Sequence, residues 1–344
     1  MYVVRPVETA DIPALESLAA VAMPGVHTLP RSRDKIEMAV ERSLASFAAQ
    51  VDIPSEESYL FVLESLADRT IAGTAAIFAS AGSNGTYFSF RNDVIQQVSR
   101  DLNISHSVHA LTLCSELTAY SQLSSFYVDG TVAPRPEAAL LSRSRLLYAV
   151  QQPQRFGDRF FVPLAGVTDE QGASPFWNAL GRKFFKMDFL AAERVIGGAR
   201  NRTLIVELMP HYPVYVPLLP GDAQAVMGQI HPSGELAFNL LTAEGFEADE
   251  YIDIFDGGPI LQAHKHALRT FTDSRTLQVR GADTLPAADG ALFNYAIASG
   301  AGAGFRAVTI ASPDLEGCAA VALTPELLDI LRVASGDSVT CVRI

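Results

Sequence analysis

The opening stretch of the chain alternates between two periodicities, and that alternation constrains the fold more than any other feature. Tyr2–Arg5 is a short extended run stopped by Pro6. Thr9 or Asp11 then caps a helix with Pro13 in its first turn and Ile12, Leu15, Leu18 and Ala19 on one face. Ser32 caps a second helix carrying Ile36, Val40, Leu44 and Phe47. Tyr59–Glu64 and Thr70–Ser80 follow as paired strands around a turn at Ala67–Arg69. Strand, helix, helix, strand predicts an α+β chain in which the helices cover a sheet.

The same reading continues downstream. Thr86–Phe90, Val108–Leu113, Leu123–Val128 and Phe160–Ala165 read as extended segments, and Glu137–Ala149 reads as a helix with Leu140, Leu141, Leu146 and Leu147. Ser174 caps a short helix ending near Gly181, after which Phe184 and Phe185 return as a strand. Thr203–Leu208 is apolar and strand-like, and Met209–Pro220 is a proline- and aromatic-rich connection. Gly221–Gly228 and Ser233–Glu244 read as helices, the second stopped by Gly245. Tyr251–Phe255 is a strand running into the turn Asp256–Gly257–Gly258–Pro259. The pattern of capped helix, glycine stop and aromatic strand occurs at Ser174 and again at Ser233. It fits either a duplicated unit or two ordinary connections. Beyond Thr272 the chain turns β-rich, with Thr276–Val279, Phe305–Ile310 and Ser338–Val342 and one helix opened by Thr324-Pro-Glu. Residues 273–344 are expected to form a small β-barrel domain. Residues 1–200 would be the core and 201–272 its continuation.

Composition narrows the function. The 344 residues carry a formal charge of −12, which works against nonspecific nucleic-acid binding. No apolar run approaches the roughly 18 residues that span a bilayer, and Met1–Glu8 lacks a signal-peptide pattern. No membrane contact and a cytoplasmic location are therefore expected. Cys114, Cys318 and Cys341 are too scattered for a metal or redox pair, and no metal motif is present. No Gly-x-Ser-x-Gly elbow points to a covalent nucleophile.

Several ordered segments are more specific: Glu57-Ser-Tyr-Leu-Phe-Val-Leu-Glu64, Tyr87-Phe-Ser-Phe-Arg-Asn92, Ser174-Pro-Phe-Trp-Asn-Ala-Leu-Gly-Arg182, Glu207-Leu-Met-Pro-His-Tyr-Pro213, Gly228-Gln-Ile-His-Pro232 and Tyr251-Ile-Asp-Ile-Phe-Asp-Gly-Gly-Pro259. Together they resemble the arginine N-succinyltransferase family. Ser124-Ser-Phe-Tyr-Val128 and Tyr215-Val-Pro-Leu-Leu-Pro220 look most like its alpha-subunit branch. The resemblance implies a GNAT-like acyl-CoA N-acyltransferase fold, a mixed and mostly antiparallel sheet flanked by helices. It implies succinyl-CoA as co-substrate with no tightly bound cofactor, and L-arginine, with ornithine as a second acceptor. It also implies a homologous beta-type subunit or self-association.

The chemistry is direct transfer, in which a neutral amine attacks a thioester held beside it. A proton-transfer group, oxyanion donors and a phosphate site are needed. His231 matches the family's proton donor, and an imidazole can carry either proton role. Phe126, Tyr127 and Val128 lie on the strand that splays from its neighbour in GNAT folds, where free backbone groups meet the pantetheine arm. The following turn, Asp129–Ala139, lacks the glycines usual for binding pyrophosphate. Pro134 and Pro136 have no N–H to give, and Glu137 adds repulsion, so Arg135, Arg143 and Arg145 are the compensating cations. This departure raises a second possibility, a non-catalytic subunit whose partner binds CoA. For the acceptor, Arg91 is the candidate for the carboxylate. His211, Tyr212 and Asp256, with Tyr215, Asp188, Glu207 and Asp253, are candidates to line the pocket.

Overall fold

The structure, a computed structural model, describes residues 1–21, 30, 32–83, 85–133, 135–196, 202–283 and 291–344. Pro134 lies outside the described residues. The strands are β1 (Tyr2–Pro6), β2 (Ser58–Ser65), β3 (Ile71–Phe78), β4 (Ser89–Ser99), β5 (Ile104–Cys114), β6 (Ser121–Val128), β7 (Arg159–Pro163), β8 (Val214–Tyr215), β9 (Glu247–Ile252) and β10 (Pro259–His264). They continue as β11 (Arg275–Gly281), β12 (Phe293–Ser299), β13 (Arg306–Ser312), β14 (Ala320–Leu323) and β15 (Ser338–Arg343). The helices are α1 (Ile12–Val21), α2 (Arg33–Ala48), α3 (Pro136–Gln151), α4 (Pro175–Ala179), α5 (Gly181–Phe185) and α6 (Phe189–Ile196). After them come α7 (Arg202–Leu208), α8 (Gly221–Val226), α9 (Glu235–Glu244), α10 (Arg269–Asp273) and α11 (Pro325–Leu331).

All the described strands join one sheet, in the order β14-β11-β15-β12-β13-β1-β2-β3-β6-β7-β10-β9-β4-β5-β8. Its pairings are antiparallel except β6 with β7 and β11 with β14. β2 explains how the alternating sequence makes two layers. Every residue of β2 is buried, because side chains of successive residues point to opposite faces and both faces are covered. Tyr59, Phe61 and Leu63 enter one core with Leu140, Leu147 and Tyr148 of α3, while Leu60 and Val62 meet Ile12, Leu15, Ile36 and Val40 under α1 and α2. A further core lies below the second half of the sheet. There the Trp177 ring stacks on Phe255 at 5.4 Å, and its Nε1 donates to the Met187 carbonyl at 3.0 Å. None of the described helices is long and apolar enough to cross a membrane.

Several sequence expectations change. Thr203–Leu208 lies in helix α7 instead of a strand: Ile205 is buried beside an exposed Val206, and a short apolar run has no period that distinguishes the two. Phe184 and Phe185 close α5, which ends at Lys186 in the left-handed conformation, so the first half of the internal echo does not return as a strand. The strand expected at Thr86–Phe90 begins only at Ser89 and continues to Ser99, forming a long hairpin with β5. The C-terminal strands do not close into a barrel in the ladder of described pairs. β13 pairs with β1 and carries them on as an extension of the main sheet, leaving β14 at its edge.

Helix α3 is anchored from inside. The Arg143 guanidinium reaches the Glu244 carboxylate of α9 at 3.0 Å and donates to the Arg343 carbonyl of β15 at 2.6 Å. Glu244 also accepts from the Thr270 N–H at the start of α10. One buried ion pair thus ties four elements together, and removing one partner strands the other charge in the core. Arg143→Ala is expected to destabilise the chain by about 3–5 kcal/mol in denaturant unfolding, the usual cost of breaking a buried pair. A loss below about 1 kcal/mol, the range of exposed pairs, would contradict the anchoring role.

Candidate active site

Strand β6 changes partners part-way along its length. On one side it runs antiparallel to β3, with Ile77 opposite Leu123 and Ala76 opposite Ser124. The register then slips, and Thr74 stands opposite Tyr127. The slip is a bulge at Ser125, whose φ of 52° is left-handed, and the buried Thr74 hydroxyl fixes it by donating to the Ser125 carbonyl at 2.9 Å. On the other side β6 meets β7 in parallel, but only Ser121 with Phe160 and Gln122 with Phe161 are paired. Beyond Gln122 the two strands part. The β6–β7 ladder pairs no residue beyond Gln122, and Phe126, Tyr127 and Val128 are only half-buried.

The far wall of this gap carries His231. Continuing the β6–β7 register would put Ala165 level with Phe126. Leu164 and Gly166 turn their N–H groups toward β10: Leu164 donates to the Pro259 carbonyl at 3.0 Å and Gly166 to the Asp256 carboxylate at 2.7 Å. Alternation along an extended segment then turns the Ala165 carbonyl the other way, toward β6. There it accepts from the His231 N–H at 2.8 Å, and Ile230 bridges to Gly166. The imidazole Nδ1 accepts from the Ser233 N–H at 3.2 Å and lies 2.8 Å from its hydroxyl. That contact leaves Nε2 as the ring atom without a partner among the described residues.

This wall rests on Asp256. Its side chain is 1% exposed, with one oxygen accepting from Gly166 and the other from Gly258 at 2.8 Å. Burial pushes its carboxyl up, while these two amide donors pull it back down. The segments approach so closely that only glycine fits. A Cβ on Gly166 would lie 2.6 Å from the Asp256 carbonyl, and one on Gly258 would lie 2.3 Å from the Leu164 carbonyl. Gly228 adds a bond from its N–H to the Gly257 carbonyl at 2.8 Å.

The phosphate turn is closed on itself. Thr131 donates through both its N–H and its hydroxyl to the Asp129 carboxylate, Val132 and Ala133 donate to the Asp129 carbonyl, and Arg135 donates to the Val132 carbonyl. Pro136 opens α3 without an N–H, and Arg135 stands exposed at its cap. Among the expected acceptor residues, Arg91 is held by Asp93 at 2.8 Å and by Glu116, which also accepts from the Tyr251 hydroxyl. These bonds raise the Arg91 guanidinium above its ordinary range and lower Glu116. His211 bonds the Val206 carbonyl at 2.6 Å, and Tyr212 is 85% exposed. Both sit just ahead of β8, six strands along the sheet from β6.

A sequence profile described as the arginine N-succinyltransferase beta subunit matches residues 2–270, and the profile of that subunit's C-terminal domain matches residues 275–343. The chain belongs to the arginine N-succinyltransferase family. It is 43% identical to the arginine N-succinyltransferase subunit alpha of Pseudomonas aeruginosa, over 100% of both chains. It is 35% identical to the arginine N-succinyltransferase of Escherichia coli O1:K1 / APEC, over 100% of this chain and 98% of that one. The solved arginine/ornithine succinyltransferase subunit AI of Pseudomonas aeruginosa superposes with a TM-score of 0.89 at 42% identity, covering 100% of this chain and 98% of that one.

Against this family background, Phe126, Tyr127 and Val128 lie half-buried on β6, Arg135 stands exposed at the cap of α3, and the His231 N–H is bonded to the Ala165 carbonyl beyond β7. Arg143 points into the core, and the Asp256 carboxylate is enclosed by its own backbone donors. The sequence reading missed the bulge at Ser125, because Ser-Ser carries no signal of left-handed backbone. It also missed Ser233 as the partner of the His231 ring, although the two-residue spacing is that of a local side-chain cap. Asp256→Asn would turn an amide donor toward the Gly166 or Gly258 N–H. The expected cost is about 1–3 kcal/mol in thermal unfolding, with unchanged stability as the contradicting result.

Proposed function

We propose that this chain transfers the succinyl group of succinyl-CoA to the α-amino group of L-arginine, with ornithine as a second acceptor. The observation that carries the reading is the β6–β7 ladder that stops after Gln122, with His231 bonded to the Ala165 carbonyl just beyond the end of β7. The thioester lies along β6, and backbone N–H groups near the Ser125 bulge steady the carbonyl oxygen as the amine attacks. The new C–N bond forms as the C–S bond breaks, the amine's proton passes to solvent, and solvent re-protonates His231 after each turnover. His231 delivers a proton from Nε2 to the departing thiolate, with Ser233 holding Nδ1. Phe126, Tyr127 and Val128 contact the pantetheine arm, and Arg135 meets the phosphates. Arg91, His211 and Tyr212 serve the acceptor, where the partners of Arg91 leave its guanidinium less available to a substrate carboxylate.

A second reading has its own observation. The N–H groups of Thr131, Val132, Ala133 and Arg135 donate to acceptors within the turn, so this turn offers less to a pyrophosphate than a glycine loop would. In that case the chain works beside a homologous beta-type subunit that binds CoA. The β4–β5 hairpin, with Val94, Val98, Leu102 and Ile104 exposed, supports work within an assembly. The test is free-thiol release from succinyl-CoA and arginine, by the chain alone and with its homologous subunit. Thiol released by the chain alone supports the first reading, and release only with the partner supports the second. In the active preparation, His231→Ala is expected to lower turnover by roughly 10²–10⁴-fold. Unchanged turnover would remove His231 from the mechanism.

A further inference from the structure

We infer that Arg145 reads the free carboxylate at the far end of the succinyl group, and so sets the chain's preference for a dicarboxylic acyl donor over an uncharged one. This rests on the proposed use of a CoA thioester along β6.

Arg145 is 1% exposed, among the largest fully buried side chains of the chain. It hangs from α3 behind the parted strand. Its Nη1 reaches the Ser124 carbonyl at 3.5 Å, and its guanidinium carbon stands 5.5 Å from the centre of the Phe126 ring. Ser124 and Phe126 flank the bulge at Ser125, where the thioester carbonyl is placed. The other contacts are local: Nε donates to the Ser142 carbonyl at 3.0 Å and Nη2 to the Ser142 hydroxyl at 2.9 Å. A guanidinium has five N–H donors, so these contacts leave capacity for a bidentate anion.

The arginine lacks a counter-charge. Among the described residues no carboxylate pairs with it, and burial alone acts on it, pulling it down to about 9. It therefore still carries its charge at neutral pH. Two residues earlier on the same helix, Arg143 has Glu244, and Arg5 is held by Asp11 and Glu64. Arg155 and Arg306 are also buried, and among the described residues no carboxylate bonds them directly. Even so, Glu57 acts electrostatically on the first, and Glu8 and Glu64 on the second. An enclosed cation with no anion is costly to keep unless a ligand brings the anion. Beside these neutral oxygens it faces the Phe126 ring, and that ring is half-buried on the edge of β6. Rotation of the ring exposes the guanidinium to an acyl chain lying along the strand. The carboxylate of a succinyl group ends where a butyryl group ends in a methyl. Only the first can pair with the buried charge.

The test measures binding of succinyl-CoA, butyryl-CoA and CoA to the full chain by titration calorimetry, in wild type, Arg145→Met and Arg145→Lys. The wild type is expected to favour succinyl-CoA over butyryl-CoA. Arg145→Met should lose succinyl-CoA affinity on the order of 10²-fold, as truncated buried charge pairs do, while its hold on butyryl-CoA and CoA is kept. Arg145→Lys should keep part of the preference. Equal losses for all three ligands, or an undiminished preference in Arg145→Met, would overturn the assignment. If the methionine chain does not fold, the lysine chain decides: a loss confined to succinyl-CoA supports the assignment, and a uniform loss or none refutes it. A wild type that binds all three equally refutes this inference alone. A wild type that binds none refutes the use of a CoA thioester as well.

Discussion

The hydrogen bonds that β6 and β7 do not make are the feature on which the candidate site depends. A sheet this broad gains most of its order from continuous ladders, and here one ladder stops after two residue pairs. An unmet backbone group costs about 1–3 kcal/mol if sealed from water. Half-burial of Phe126, Tyr127 and Val128 relieves that cost, and an extended ligand could meet it. Each strand is held apart from the other by bonds on its far side. β6 is bent by the Ser125 bulge against β3, and β7 is drawn toward β10 and the Asp256 carboxylate.

The opening of the gap and the placement of His231 follow from the same bonds. Because Leu164 and Gly166 face β10, Ala165 faces the gap, and its carbonyl fixes the backbone of His231. The glycines at 166 and 258 let their two segments cross within distances that no Cβ would allow. Rigidity at the wall and openness at the edge are thus parts of one arrangement, which suits a reaction that relies on holding two substrates in position.

Much of the scaffold was legible in the sequence because it rests on local rules. Helices α1 to α3 and the buried strand β2 follow from their period, the Ser174 hydroxyl caps α4 as expected while Ser32 makes no side-chain bond at the start of α2, and Gly245 ends α9 in the left-handed conformation its position predicts. α7 was not legible, since seven residues around a buried Ile205 hold too little period to separate helix from strand. The site was legible only in pieces. His231 and Phe126 stand in recognisable segments, but the bond that fixes the His231 backbone to Ala165 joins distant stretches of chain. Arg143 and Arg145 are near-identical in sequence context, yet one meets Glu244 and the other meets an aromatic ring. Only the tertiary partner separates an anchor from a charge left open to a ligand.

The central claim is that the open edge of β6 receives the acyl donor. Amide hydrogen exchange of the intact chain, with and without saturating succinyl-CoA, tests it most directly. Exchange across Phe126–Val128 is predicted to slow on addition of the donor, as this edge takes up hydrogen bonds to it. Unchanged exchange across Phe126–Val128, with protection appearing in other strands, would contradict the account.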